Sequence, residues 1–215
     1  MKIIKPSATI ISPTPIEGDA VLFFLECCGR VCYKSESLIR SDSDEKFIRG
    51  IIERGHESVL EHVSFSARFI VDRGVSHEIV RHRIASYSQE STRYCNYSRD
   101  QFNSEITVIE PSYLAHGTSA YNVWLAACED AERAYFDLLE IGLLPQEARA
   151  VLPNSLKTEL VMSANIREWR HFFRLRTSAA AHPQMREAAT MLLRDARARF
   201  PVVFDDIQPE GGAEA

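Results

Sequence analysis

Three consecutive residues, Arg81, His82 and Arg83, open the stretch of this sequence richest in groups able to hold an anion. Ser86, Ser88, Gln89, Ser91, Thr92 and Arg93 follow and add hydroxyl, amide and guanidinium donors. That inventory suits a phosphate together with the edge of a uracil ring, because guanidinium forks take a phosphate bidentately and hydroxyls and amides complete the pattern. Read as helical, three neighbouring positions point about 100° apart, so at least one of the three basic side chains leaves the solvent side. A guanidinium taken into the interior needs an anionic partner.

The surroundings sharpen the expectation. Between Arg68 and Arg99 stand six arginines (68, 73, 81, 83, 93, 99) against three acids, Asp72, Glu78 and Glu90. The chain as a whole carries a formal charge of -5 and a pI near 5.8, which argues against gripping long nucleic acid through phosphate neutralisation. An anion site must therefore be local.

Other chemistries are excluded by what is missing. The nine glycines include no GxGxxG and no GxxxxGK[ST], so a flavin or nucleotide must be held by other means. His56-Glu57 lacks the second histidine of HExxH, where Leu60 stands, and Glu61-His62 lacks the first of HxxEH, where Ser58 stands, so no metal site is expected. The five cysteines show no CxxC pair and suit a reduced, cytoplasmic compartment; Cys95, just past the basic motif, has no local mark of a nucleophile. No apolar run reaches membrane-spanning length, so no membrane partner is expected.

The elements that must position these residues read as mixed α+β, one domain over 1–207 with a flexible tail at 208–215, its sheet packed with helices. KIIKPSATIISP reads as an edge strand because Pro6 and Pro13 donate no ladder hydrogen bond. Helices are expected from Ile16 to about Tyr33 and from the Ser41 to Asp44 cluster to Gly55. In HVSFSARFIV, Val63, Phe65, Ala67, Phe69 and Val71 alternate with polar residues, the pattern of a half-buried strand. VSHEIVRHRI is helical in character and runs into the polar stretch. A short strand at 106–109 precedes a long amphipathic helix from Thr118 to Leu144, whose apolar stripe includes Tyr121, Trp124, Cys128 and Tyr135. A short helix after Pro145 holds Arg149, a strand covers 156–163, and helices cover about 166–177 and 183–199.

The ordered pattern RHR, two residues, Ser, four residues, Ser, one residue, Arg, Tyr resembles the signature of the flavin-dependent thymidylate synthases. GRVCYKS at 29–35, GHESVLEH at 55–62, ARAVLP at 148–153 and NIREWRHFFRLR at 165–176 resemble that family's other blocks, in order and over most of the chain. The resemblance implies a homotetramer with active sites at subunit interfaces. It implies FAD contacts at Ser58, Arg81, His82, Arg83, Gln89, Asn165, Arg167 and His171, with His56 in the same block. For dUMP it implies Glu78, Arg81, Gln89, Ser91, Thr92, Arg93, Arg149 and Arg176, with Arg176 as the catalytic residue that promotes ionisation of the uracil ring. The implied reaction is methylation of dUMP to dTMP, with methylene-tetrahydrofolate giving the carbon, reduced FAD the hydride, NADPH regenerating the flavin, and tetrahydrofolate released.

Several of these residues have competing structural roles. Ser58 with Glu61, and Asn165 with Glu168, fit capping boxes; at a helix N-terminus, capping and anion contact are compatible. Arg176 shares a helix face with Trp169, Phe172 and Phe173, whereas Arg167, Arg170 and Arg174 form a separate stripe, so Arg176 either snorkels or aims at a buried anion. Glu78 is awkward beside a phosphate unless an arginine intervenes. A different flavoprotein on the same scaffold and an RNA-binding module are the rival readings. The second is disfavoured because the aromatics fall on apolar stripes instead of interleaving with the basic residues.

Overall fold

The computed structural model describes residues 1–11, 18–99 and 102–210. Its elements, in chain order, are β1 Lys2–Ile4, β2 Ser7–Ile10, α1 Gly18–Val31, α2 Asp44–Glu53, β3 Ser64–Asp72, α3 Arg73–Ile79, β4 Ser86–Gln89, β5 Thr107–Ile109, α4 Ser119–Glu140, α5 Pro145–Ala148, β6 Lys157–Asn165, α6 Ile166–Arg176 and α7 Pro183–Arg199. The expected mixed α+β class is present. A two-stranded parallel sheet pairs β1 with β5, Lys2 opposite Thr107 and Ile4 opposite Ile109. A four-stranded sheet has the order β2-β3-β6-β4.

Two compact units are built from interleaved stretches. One comprises Met1–Ser7, Phe69–Arg81 and Ser88–Leu160, and the other Ala8–Arg68, His82–Tyr87 and Val161–Ala215. The chain changes unit inside β3 and again inside β6, so neither unit is an independent sequence segment.

In the first unit the core is Tyr97, Ile106, Val108, Cys128, Tyr135, Ala148 and Leu156, with Trp124, Leu138 and Leu139 half-buried against it. The stripe on α4 is therefore core, as its spacing requires. Thr118 caps that helix by accepting from the Tyr121 N–H at 3.2 Å. Asp72 likewise caps α3, accepting from the Val75 N–H at 2.8 Å, which turns the end of β3 directly into a helix.

The second unit is organised by aromatics. Phe65 of β3 stacks on Trp169 of α6, ring centres 4.7 Å apart, and accepts the indole N–H on its carbonyl at 3.1 Å. Trp169, Phe172 and Phe173 are fully buried, each worth about 1.5 to 3 kcal/mol in transfer free energy, and Phe200 and Phe204 close the cluster. Gly55, at φ +71°, ends α2 and lets the chain reverse into the 3-10 turn Glu57–His62.

Several local expectations are corrected. The N-terminal strand is two strands, broken at Lys5-Pro6, and Pro13 and Ile16 lie outside the described residues. Helix α3 stops at Ile79, so Arg81, His82 and Arg83 are not helical. The Arg81 N–H closes instead on the Glu78 carbonyl at 3.3 Å, an i to i−3 bond that tightens the last turn. The polar stretch after them contains a strand, β4, which lacks an apolar face to reveal it. Within the expected tail, the Glu210 N–H donates to the Thr177 carbonyl at 2.9 Å and its carboxylate accepts from the Ala179 N–H at 3.0 Å. Residues 211–215 lie outside the described residues.

Candidate active site

In the second unit, the Nδ1 of His82 meets Oε1 of Glu168 at 3.0 Å, and Nε2 of the same ring accepts from Nε of Arg176 at 3.1 Å. A guanidinium N–H can only donate, so Nε2 is unprotonated and the ring proton sits on Nδ1, facing the carboxylate. Burial drives the His82 imidazole below its ordinary value of 6.5. Arg176 and His171 push the same way, and Glu168 opposes them. The ring is thereby held neutral in one tautomer. Tyr87 donates its hydroxyl to the His82 carbonyl at 2.5 Å and is pushed up to about 12, by burial first and then by the Glu168 charge.

One member of the RHR triplet leaves the solvent side, as expected, and it is His82, 4% exposed, whereas Arg81 and Arg83 are exposed. Its neighbours are the Phe172 ring, 5.0 Å away edge-on, and the His171 ring at 5.4 Å. His82, Glu168 and His171 offer ligand atoms within 4.8 Å of one another. Both ring nitrogens of His82 are already hydrogen-bonded, one by a cationic guanidinium, so the trio is poorly suited to a metal ion.

A cleft of about 520 Å³ opens beside this group, lined by Glu57, Glu61, Ile84, Asn165, Arg167, Glu168, His171 and Arg174. Asn165, Arg167 and His171 were each expected at a cofactor, and all three lie on its wall. Asn165 caps α6, accepting from the Glu168 N–H at 2.9 Å. The reciprocal half of the expected box goes elsewhere, since Oε1 of Glu168 faces His82. Ser58 is exposed inside the turn 57–62, whose N-cap is His56 without a side-chain bond, so the Ser58–Glu61 capping box is not formed. Glu61 instead takes Arg167 at 2.5 Å.

Within the stripe of Arg167, Arg170 and Arg174, burial is uneven. Arg170 is fully buried, donating to both oxygens of Asp206 at 2.7 Å, to Glu57 at 3.2 Å and to the Val203 carbonyl. Despite the opposing effect of burial, Arg170 and Arg174 hold the Glu57 and Asp206 carboxyls below their usual range. The partly buried Arg176 shares its helix face with the aromatics as the spacing implied, and its Nε is bound to His82.

The first unit gathers most of the residues expected at a nucleotide. Thr92, 8% exposed, accepts from Nη1 of Arg149 at 3.1 Å, joining two stretches 57 residues apart. Gln89 donates its amide N–H groups to Ser76 at 2.9 Å and Thr158 at 3.2 Å, leaving its carbonyl oxygen as the group to meet a ligand. Ser91 accepts from the Arg93 N–H at 3.2 Å, and the exposed Arg93 lies 5.5 Å over the Tyr94 ring. Glu78 is half-buried at the end of α3, and Arg81 is exposed just beyond it. The Cys95 thiol is pushed up by burial and by Glu90, the opposite of activation.

Glu168, Tyr87, Glu57 and Arg174 were missed at the sequence level. Glu168 had a readable signal, since it precedes His171 by three residues and so lies beside it on α6. The Tyr87 contact had none.

Comparison with known proteins agrees in sequence and in fold. The family described as thymidylate synthase complementing protein matches residues 23–202. The flavin-dependent thymidylate synthase of Geobacter sulfurreducens is 37% identical over 189 residues, 84% of this chain and 79% of its own length. That of Pyrococcus furiosus is 35% identical over 198 residues, 91% of this chain and 78% of its own. Among solved structures, a UMP/dUMP methylase, PolB, from Streptomyces cacaoi bound with 5-Br dUMP matches with a TM-score of 0.76 at 22% identity, over 95% of this chain and 96% of that one; this likeness is one of fold.

Proposed function

This chain belongs to the flavin-dependent thymidylate synthases, and from that premise we propose that it methylates dUMP to dTMP on a bound FAD, with methylene-tetrahydrofolate as carbon donor and NADPH as reductant. The observation that carries the reading is that three residues expected at the cofactor, Asn165, Arg167 and His171, line one cleft beside His82.

The residues present fit a flavin dinucleotide. Three acids line the cleft, but each is engaged: Glu57 by Arg170 and Arg174, Glu61 by Arg167, and Glu168 by His82. The charges of Glu57 and Glu61 are thereby offset, Glu168 is hydrogen-bonded by the neutral imidazole, and the exposed Ile84 offers an apolar surface to a flat ring. The exposed guanidiniums of Arg83 and Arg167, with His171 and Ser58, would take the phosphates and ribityl chain, and Arg81 and Gln89 remain proposed contacts by resemblance alone. When bound, the reduced flavin supplies the hydride. Arg176 would act on the uracil ring as a fixed cation, lowering the cost of negative charge developing there; its hydrogen bond to His82 holds the guanidinium in place. Thr92, Arg149, Arg93, Ser91 and Gln89 would hold the monophosphate and base, with Glu78 kept from the phosphate by Arg81. Assembly as a homotetramer, with sites completed between subunits, and a cytoplasmic location belong to the same proposal, as does a domain spanning 1–207 with 208–215 as its tail. No helix among the described residues is long and apolar enough to cross a membrane, and all five cysteines are free thiols.

The test is tritium release from C5-labelled dUMP by the purified, flavin-loaded protein. Release that requires methylene-tetrahydrofolate and NADPH and yields dTMP supports the reading. A flavin-loaded protein that releases none overturns it.

A further inference from the structure

On the reading that residues 89–93 hold the nucleotide, we propose that Glu90 and Lys157 are positioning residues for dUMP, an ion pair that pins this segment to β6. Nζ of Lys157 lies 2.8 Å from Oε2 of Glu90 and 3.1 Å from Oε1 of Glu159. The Glu90 and Lys157 side chains are only 13% and 18% exposed. Most surface ion pairs contribute little, but a pair withdrawn from water resists separation, because either charge alone would be left poorly solvated. Burial alone would lower the lysine's affinity for its proton. Glu90 and Glu159 outweigh that, so the ammonium persists.

The backbone of Glu90 and one carboxylate oxygen, Oε2, are committed to the fold. Its N–H donates to the Glu159 carbonyl at 2.8 Å, and its carbonyl accepts from Arg73 at 3.4 Å. Its Oε2 also accepts the Glu159 N–H at 3.2 Å. With its backbone and Oε2 so engaged, Glu90 acts through its neighbours. On one side stands Gln89, tied to Ser76 and Thr158; on the other stands the turn in which the Ser91 carbonyl accepts from Tyr94 and Cys95 and Thr92 holds Arg149. Without the ammonium, Glu90 and Glu159 repel, residue 90 lifts from β6, and Thr92 and Arg149 move with it.

The experiment is steady-state kinetics and dUMP calorimetry on flavin-loaded wild type, Lys157→Met, Glu90→Gln and Lys157→Arg. In both neutralising variants the KM and Kd for dUMP rise on the order of tenfold, since a small misplacement of binding groups is amplified in affinity. In the same variants kcat stays within about twofold, as expected when ground-state and transition-state binding are lost equally. Flavin content is unchanged, and Lys157→Arg restores most of the affinity. A folded Lys157→Met with wild-type KM overturns the proposal. So does a loss confined to kcat, or failure of both neutralising variants to fold, which would make the pair a folding requirement instead. Wild type that binds dUMP without making dTMP overturns the reaction alone, and wild type that does not bind dUMP overturns both.

Discussion

The Nε–H of Arg176 donates to Nε2 of His82 at 3.1 Å, so the last residue of α6 and the middle of the basic triplet, 94 positions apart, share one hydrogen bond. Because the other ring nitrogen faces Glu168, protonation of His82 must break the contact with Arg176.

This linkage has a sign. With the folded value of His82 depressed, the unfolded chain takes up a proton that the folded chain refuses as pH falls below 6.5. The contribution is full above that value and lost below it. Thermal unfolding of His82→Gln should accordingly show a shallower loss of Tm on acidification than wild type. Parallel profiles would remove His82 as the titrating group.

Arg176→Ala should keep its flavin and lose about a hundredfold or more in kcat, the usual cost of removing a preorganised charge-stabilising donor. Absorbance of the purified variant and single-turnover dTMP formation measure the two halves. Full synthase activity would refute the role given to Arg176.

Arg83 is exposed and has no ion-pair partner among the described residues. Its replacement by alanine should shift stability by no more than about 0.5 kcal/mol, as at other unengaged surface positions. Flavin retention through gel filtration should nevertheless fall. Retention equal to wild type would place Arg83 outside the cofactor site.

Arg170 is the opposite case. Arg170→Met leaves Glu57 and Asp206 with only the exposed Arg174, and should cost about 3 kcal/mol in urea unfolding, the lower end for a broken buried pair because Asp206 is partly solvated. A change below about 1 kcal/mol would show that Arg174 suffices.

Much of this was legible before any coordinates. Alternation through Val63, Phe65, Ala67, Phe69 and Val71 located β3, and the spacing of Trp169, Phe172, Phe173 and Arg176 placed the guanidinium on the aromatic face of α6. Both patterns are local, because strand and helix geometry dictate which side chains share a side. The cap at Asn165 was equally readable, since it needs only one residue and the N–H three positions on.

What sequence settled on its own was the family, since an ordered string of donors is itself a chemical statement. Which member of Arg81, His82 and Arg83 goes inside, where Glu168 turns, and that Arg170 rather than Arg176 is sealed among carboxylates were decided only in three dimensions. The physical reason is that burial and protonation depend on partners such as Glu57, Arg176 and Asp206, contributed by distant stretches of chain that no local spacing brings together.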